Sequence, residues 1–254
     1  MANDAMACTN KRRDISIPLA LGRLHFNTRF NINEFILDQL NMAIHDLSAQ
    51  ALSQAIHARQ YACREVMQAY LERMGLINPR FNAVVSLQPA DALLRQADAC
   101  DQELARGHSR GWLHGIPLAF KDLVDVAGIP TTCGSELLRH NIPSMDALLV
   151  QRLKAQGGIV IGKTNTPEWA FGSNTFNPVF GATGNAYNPA HTAGGSSGGA
   201  AVALAHRLLP LADGSDFMGS LRNPAAWNNV FGMRPSQGRV PAFPAHDVWV
   251  NQLS

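Results

Sequence analysis

At 254 residues the chain can bury a full hydrophobic core in one or two domains, and 46% hydrophobic with 16% charged residues excludes a disordered chain and suits a globular α/β protein. A net charge of +2 is too small to point to nucleic acid or to an acidic membrane as a partner. Cys8, Cys63, Cys100 and Cys133 form no C-x-x-C pair and no zinc-spaced cluster with histidine, so free thiols, a cytoplasmic location and no metal or cofactor are expected.

Residues 1–41 mix polar, basic and apolar residues without a sustained period. The basic run Lys11–Arg13 reads as a solvated tail, and the apolar stretch after it, Ile15–Gly22, is too short and proline-broken for a secretory signal. No apolar run reaches membrane-spanning length. A cleaner pattern begins at Met42, which we take as the natural start, with 1–41 a poorly organised extension and 42–254 the folded part. Asp46 or Ser48 can cap a helix over Ala49–Ala58. Ala62, Val66, Ala69, Tyr70, Met74 and Ile77 recur at helical spacing, and a third helix runs from Ala90 to about Leu104.

From Gly115 the texture becomes α/β. Ile116–Phe120 and Leu123–Val126 read as a buried strand interrupted by Lys121 and Asp122. Ser144 is the expected cap of a helix that runs through Ala155 and ends at Gly157-Gly158. Gly158–Ile161 reads as a short buried strand, Ser197–Gly199 opens an alanine-rich helix through His206, and Leu208–Leu211 reads as a further strand.

Four features carry chemistry. Gly157–Thr164 satisfies G-x-x-x-x-G-K-[ST] literally, but its loop positions are Ile159, Val160 and Ile161, which favour the strand itself, and Asn165-Thr166-Pro167 follows where a helix should. A phosphate-binding loop is therefore the remote reading. Lys121 lies in apolar strand, where a lysine is disfavoured unless it is paired or functional. Its bland readings are a snorkelling strand-end lysine or a salt bridge with Asp122. Burial would lower its pKa and free the amine as a base. The turn Gly194–Gly199 places Ser196 and Ser197 among glycines, and Asp216–Ser220 is a tight turn that can present Ser220 with successive N–H groups. Each of these features alone also fits an ordinary structural turn.

Taken together, these residues resemble the amidase signature family, the Ser-Ser-Lys amidohydrolases. The resemblance spans about Met42 to Pro241: Gly115-Ile116-Pro117 leading to Lys121-Asp122; Val126, Gly128, Thr131, Thr132, Gly134 and Ser135; Gly162–Glu168; Asn188-Pro189 before GGSSGG; then Arg222, Pro224 and Gly232–Ser236. It implies a mixed central β-sheet flanked by helices on both faces, and it makes 42–254 the N-terminal half of such a domain. It also implies Lys121 as base, Ser196 as bridging serine held by a cis peptide, Ser220 as acyl nucleophile and Ser197 as the serine supporting them. The N–H groups of Phe217, Met218, Gly219 and Ser220 become the oxyanion hole, braced by an Asp216–Arg222 ion pair. The implied reaction is hydrolysis of a small carboxamide, without cofactor, in a homo-oligomer or, if the chain is the glutaminase component of a tRNA-dependent amidotransferase, with partner subunits. Met218 stands where many members carry glycine, and the chain stops at Ser254, short of the family's usual length. A C-terminally truncated member, active or a non-catalytic remnant, is the expectation.

Overall fold

The computed structural model describes residues 43–241; the expected start at Met42 and the extension 1–41 lie outside the described residues. Helix α1, Ala49–His57, opens on Ser48, whose Oγ accepts the Ala51 N–H at 3.2 Å, and buries Leu52, Ala55 and Ile56. Asp46, the other expected cap, is instead ion-paired with Arg207. Helix α2, Cys63–Phe81, runs past the expected Ile77 and through Pro79, whose missing N–H leaves the Gly75 carbonyl without its helical donor. It ends at Asn82 in left-handed conformation. Helix α3, Ala90–Ala105, packs against it, and the Asp101 carboxylate accepts the N–H groups of Cys63 (2.7 Å) and Arg64 (3.0 Å), capping α2 from a neighbouring helix.

The central sheet of the described residues has the order β1 (Val84–Val85), β3 (Ile159–Thr164), β2 (Pro117–Lys121). β1 is antiparallel to β3 and β2 is parallel to it, with Lys121 opposite Thr164. Every residue of β2 and β3 is buried, as their nearly unbroken apolar runs require. Helix α4, Leu148–Ala155, supplies the crossover between the two parallel strands. A short hairpin, β4 (Phe176–Asn177) and β5 (Gly181–Ala182), precedes helix α5, Gly198–Ala205, which packs on all three sheet strands and on helix α6, Arg222–Trp227. Among the described residues no helix is long and apolar enough to cross a membrane.

Three local expectations are corrected, and the dismissal of a phosphate loop holds. Leu123–Val126 is not strand: the N–H groups of Leu123 and Val124 both turn back to the Lys121 carbonyl, leaving Val126 a single bridge to Ile129. Ser144 does not cap α4, which starts at Leu148 without a side-chain cap. Nearby, Asp146 holds Lys154 Nζ at 2.8 Å and the Ala127 N–H at 2.7 Å. Leu208–Leu211 is not strand, because Arg207 adopts a left-handed conformation after α5 and the Leu208 N–H closes back on the Ala203 carbonyl at 2.8 Å, a helix-terminating turn. Gly157–Thr164 is no phosphate loop: Ile159–Thr164 is buried strand, and Lys163 Nζ is spent on the Val124 carbonyl and, at 2.9 Å, Thr131 Oγ1.

Candidate active site

Lys121 is the last residue of β2 and has no exposed surface, which excludes the snorkelling reading. Nor does it pair with Asp122, whose carboxylate turns away to accept the Thr132 N–H (2.9 Å) and hydroxyl (2.5 Å). The Lys121 amine meets three hydroxyls: Ser196 Oγ at 2.6 Å, Ser215 Oγ at 2.7 Å and Ser197 Oγ at 3.1 Å. With no carboxylate bonded to the amine, burial dominates and draws its pKa down to about 7; the more distant charges of Asp213 and Asp216 oppose that shift.

The serines are held by the turn into α5. The Gly195–Ser196 peptide bond is cis. A Cβ on Gly195 would come within 2.8 Å of the Asn174 nitrogen and the Gly172 oxygen, and one on Gly199 within 2.3 Å of the Asn165 nitrogen. The glycines of GGSSGG are thus places where backbone meets backbone, and the stretch is a packed turn rather than a linker. Thr175 braces it from the side, donating its hydroxyl to the Gly194 carbonyl at 2.8 Å and accepting the Gly198 N–H at 3.1 Å.

Ser220 reaches this centre through its backbone: its carbonyl accepts the Ser197 N–H at 2.9 Å. No hydrogen bond joins the Ser196 and Ser220 hydroxyls among the described residues. Asp216, fully buried, organises the loop before Ser220. It takes Arg222 in a two-point pair (Nε 2.8 Å, Nη2 2.9 Å) and also accepts the N–H groups of Gly219 (2.8 Å), Arg222 (3.2 Å) and Leu221 (3.3 Å). Arg222 and these N–H groups hold the Asp216 carboxyl far below the usual carboxylate range. The bond from Gly219 corrects the expected oxyanion set, since that N–H is already committed. The N–H groups of Phe217, Met218 and Ser220 have no partner among the described residues, and the Phe217 and Met218 side chains are exposed.

Besides Thr175, two participants escaped the sequence reading. Ser215 touches the amine as closely as Ser196 does, and Asp213 accepts the Lys121 main-chain N–H at 2.8 Å. Both lie just before the Asp216 turn, a position that distinguishes them from any other polar loop residue only once Asp216 is placed. Among the described residues no group of three or more His, Cys, Asp or Glu side chains is placed to hold a metal ion.

This arrangement has relatives. The family model described as Amidase matches residues 65–251. The chain is 41% identical over 194 residues to the A subunit of the glutamyl-tRNA(Gln) amidotransferase of Thermosynechococcus vestitus, covering 76% of this chain and 40% of that protein. It is 44% identical over 196 residues to the indoleacetamide hydrolase of Bradyrhizobium diazoefficiens, covering 77% and 37%. Its fold superposes on a bacterial aryl acylamidase of the amidase signature enzymes with a TM-score of 0.75 at 34% identity, covering 79% of this chain and 42% of the other. The chain therefore spans about 40% of the length of the proteins it matches. With the family model covering most of its length, and with sequence and fold agreeing, the chain belongs to the amidase signature family.

Proposed function

We propose that this chain carries the chemistry of amide C–N bond hydrolysis through Lys121, Ser196 and Ser220. The observation that carries the reading is the buried Lys121 amine 2.6 Å from Ser196 Oγ, with a pKa drawn down to about 7. A neutral amine there can accept the Ser196 proton while Ser196 accepts that of Ser220, once the Ser220 hydroxyl turns to hydrogen-bonding distance of Ser196. Ser220 Oγ then bonds to the amide carbon, and the C–N bond breaks as the proton returns through Ser196 to the departing nitrogen. Water attacks the resulting ester by the same relay, releasing the acid and restoring Ser220. The N–H groups of Phe217, Met218 and Ser220 are the donors left for the oxyanion, and one such donor supports about 3 kcal/mol of transition-state stabilisation. Ser197 supports the site by donating its N–H to the Ser220 carbonyl and by bonding Lys121. The substrate class is a small carboxamide, and the free thiols of Cys63, Cys100 and Cys133 support a reducing, cytoplasmic setting.

A second reading has its own support. The relative in Thermosynechococcus vestitus is named as the A subunit of an amidotransferase, so this chain would be a glutaminase component whose activity depends on partner subunits. Fluorophosphonate labelling followed by peptide mass spectrometry tests the common core of both readings. An adduct on Ser220, lost in Ser220→Ala, is expected. Folded protein that takes no label would overturn the hydrolase reading in favour of a non-catalytic remnant. Glutaminase activity appearing only when partner subunits are added would select the second reading.

A further inference from the structure

The Lys121 amine is satisfied by hydroxyls, but its backbone leads to a different group. The Asp122 N–H donates to the Thr164 carbonyl across the parallel pair, so the Lys121 N–H, one residue earlier, faces the opposite edge of β2. No strand pairs there among the described residues. The acceptor is Asp213 Oδ1, at 2.8 Å. Two residues later Ser215 Oγ bonds the same lysine's Nζ at 2.7 Å, and Ser215 is itself fastened at both ends: its N–H donates to Ser197 Oγ at 3.2 Å, and its carbonyl accepts that hydroxyl at 3.3 Å. One short segment therefore grips Lys121 by main chain and side chain together. Gly214 between the two leaves little room for any other residue, because a Cβ there would stand 3.1 Å from Ser197 Oγ.

The charges around this contact are few. Asp213 faces Lys121 and, on β3, Lys163; Asp216 on the nucleophile loop also acts on Lys121; Asp122, Asp125 and Cys133 act on Lys163. Burial pushes the Asp213 carboxyl up, and the Lys121 N–H and the two lysines oppose it. We propose that Asp213 is a positioning residue for Lys121: its carboxylate seats the end of β2 through the main-chain N–H and supplies the negative charge that balances the Lys121 ammonium. Its importance for catalysis rests on the reading of Lys121 as the proton acceptor, but the charge balance itself does not.

Asp213→Asn keeps an oxygen for the Lys121 N–H and removes only the charge. The titration midpoint of Lys121, followed by NMR of the labelled side-chain carbon next to the amine in the full chain, is expected to fall by about one pH unit, while Asp213→Glu stays near wild type. The pH profile of fluorophosphonate labelling moves the same way. An Asp213→Asn midpoint equal to that of wild type would overturn the proposal. Should Asp213→Asn fail to fold, the carboxyl carbon of Asp213 in the wild type decides: ionised throughout the Lys121 transition supports the proposal, and protonated throughout overturns it. A wild type that takes no label would sink the hydrolase reading, yet it leaves the lysine titration readable, so the two failures are separable.

Discussion

Lys121 is stabilised as an amine rather than as an ammonium, and this has two consequences at the residue scale. Labelling of Ser220 should rise through pH 7 as the amine loses its proton, and Lys121→Met should abolish that rise. Stability should follow as well. In the unfolded chain this amine holds its proton up to about pH 10.5, in the folded chain only to about 7, so between those values the unfolded state binds more protons. Stability therefore increases with pH across that window, and the contribution is lost as pH falls through 7, with a slope approaching about 1.4 kcal/mol per pH unit at mid-window. Denaturant titrations of wild type and Lys121→Met from pH 6.5 to 10 should diverge with that sign; parallel curves would mean the amine is solvated. Asp216 makes the opposite kind of site, a carboxylate with five donors. Asp216→Asn gives up the charge that pairs with Arg222. We expect a loss of about 2–3 kcal/mol, softened by the exposure of Arg222, and a larger loss of Ser220 labelling, read by denaturation and mass spectrometry.

At the scale of elements, much was legible where the pattern is local. The helices over 49–57 and 90–105 follow the 3.6-residue apolar recurrence and were expected within a residue or two. Strands β2 and β3 were visible as apolar runs, but their limits were not: Lys121, Lys163 and Thr164 are polar yet belong to the strands, because hydroxyls and a carbonyl of neighbouring segments satisfy the two lysine amines and the Asp122 N–H takes the Thr164 carbonyl. The misread pieces, Leu123–Val126 and Leu208–Leu211, bury Val126, Leu208 and Leu209 in turns rather than in paired strand, and a single sequence does not separate the two causes of an apolar residue. For the site, Lys121, Ser196 and Ser220 stood out by residue type and family order. Ser215, Asp213 and Thr175 did not, since each acts through a partner distant in sequence. The packed character of GGSSGG gives a test at this scale. Gly199→Ala forces a methyl group against the Asn165 backbone and should cost about 2–3 kcal/mol by thermal or denaturant unfolding, whereas in a flexible linker it would be neutral or slightly stabilising.

At the scale of the molecule, the described residues divide sharply. The region around β1–β3, α2, α3 and α5 is a continuous core in which Tyr70, Phe120, Ile116 and Val202 are buried. Around the nucleophile loop and α6 the balance reverses: Phe231 is 87% exposed, Met218 81%, and Phe217, Trp227 and Met233 are more than half exposed. The same side carries an open groove of about 620 Å³ whose apolar lining includes Leu204, Leu211, Leu221, Val230, Phe231 and Met233. Apolar surface gathered in this way is driven to find cover, and with a net charge of only +2 there is little long-range repulsion between copies to oppose it. The chain by itself should therefore associate as its concentration rises. Sedimentation velocity over a hundredfold dilution series should show the weight-average coefficient climbing, and the double substitution Phe231→Gln with Met233→Gln should flatten that climb without altering the far-ultraviolet circular dichroism, because neither side chain belongs to the buried core. A wild type that stays monomeric across the series would mean that these side chains already find cover within the chain, and that Phe231 and Met233 are not the adhesive surface.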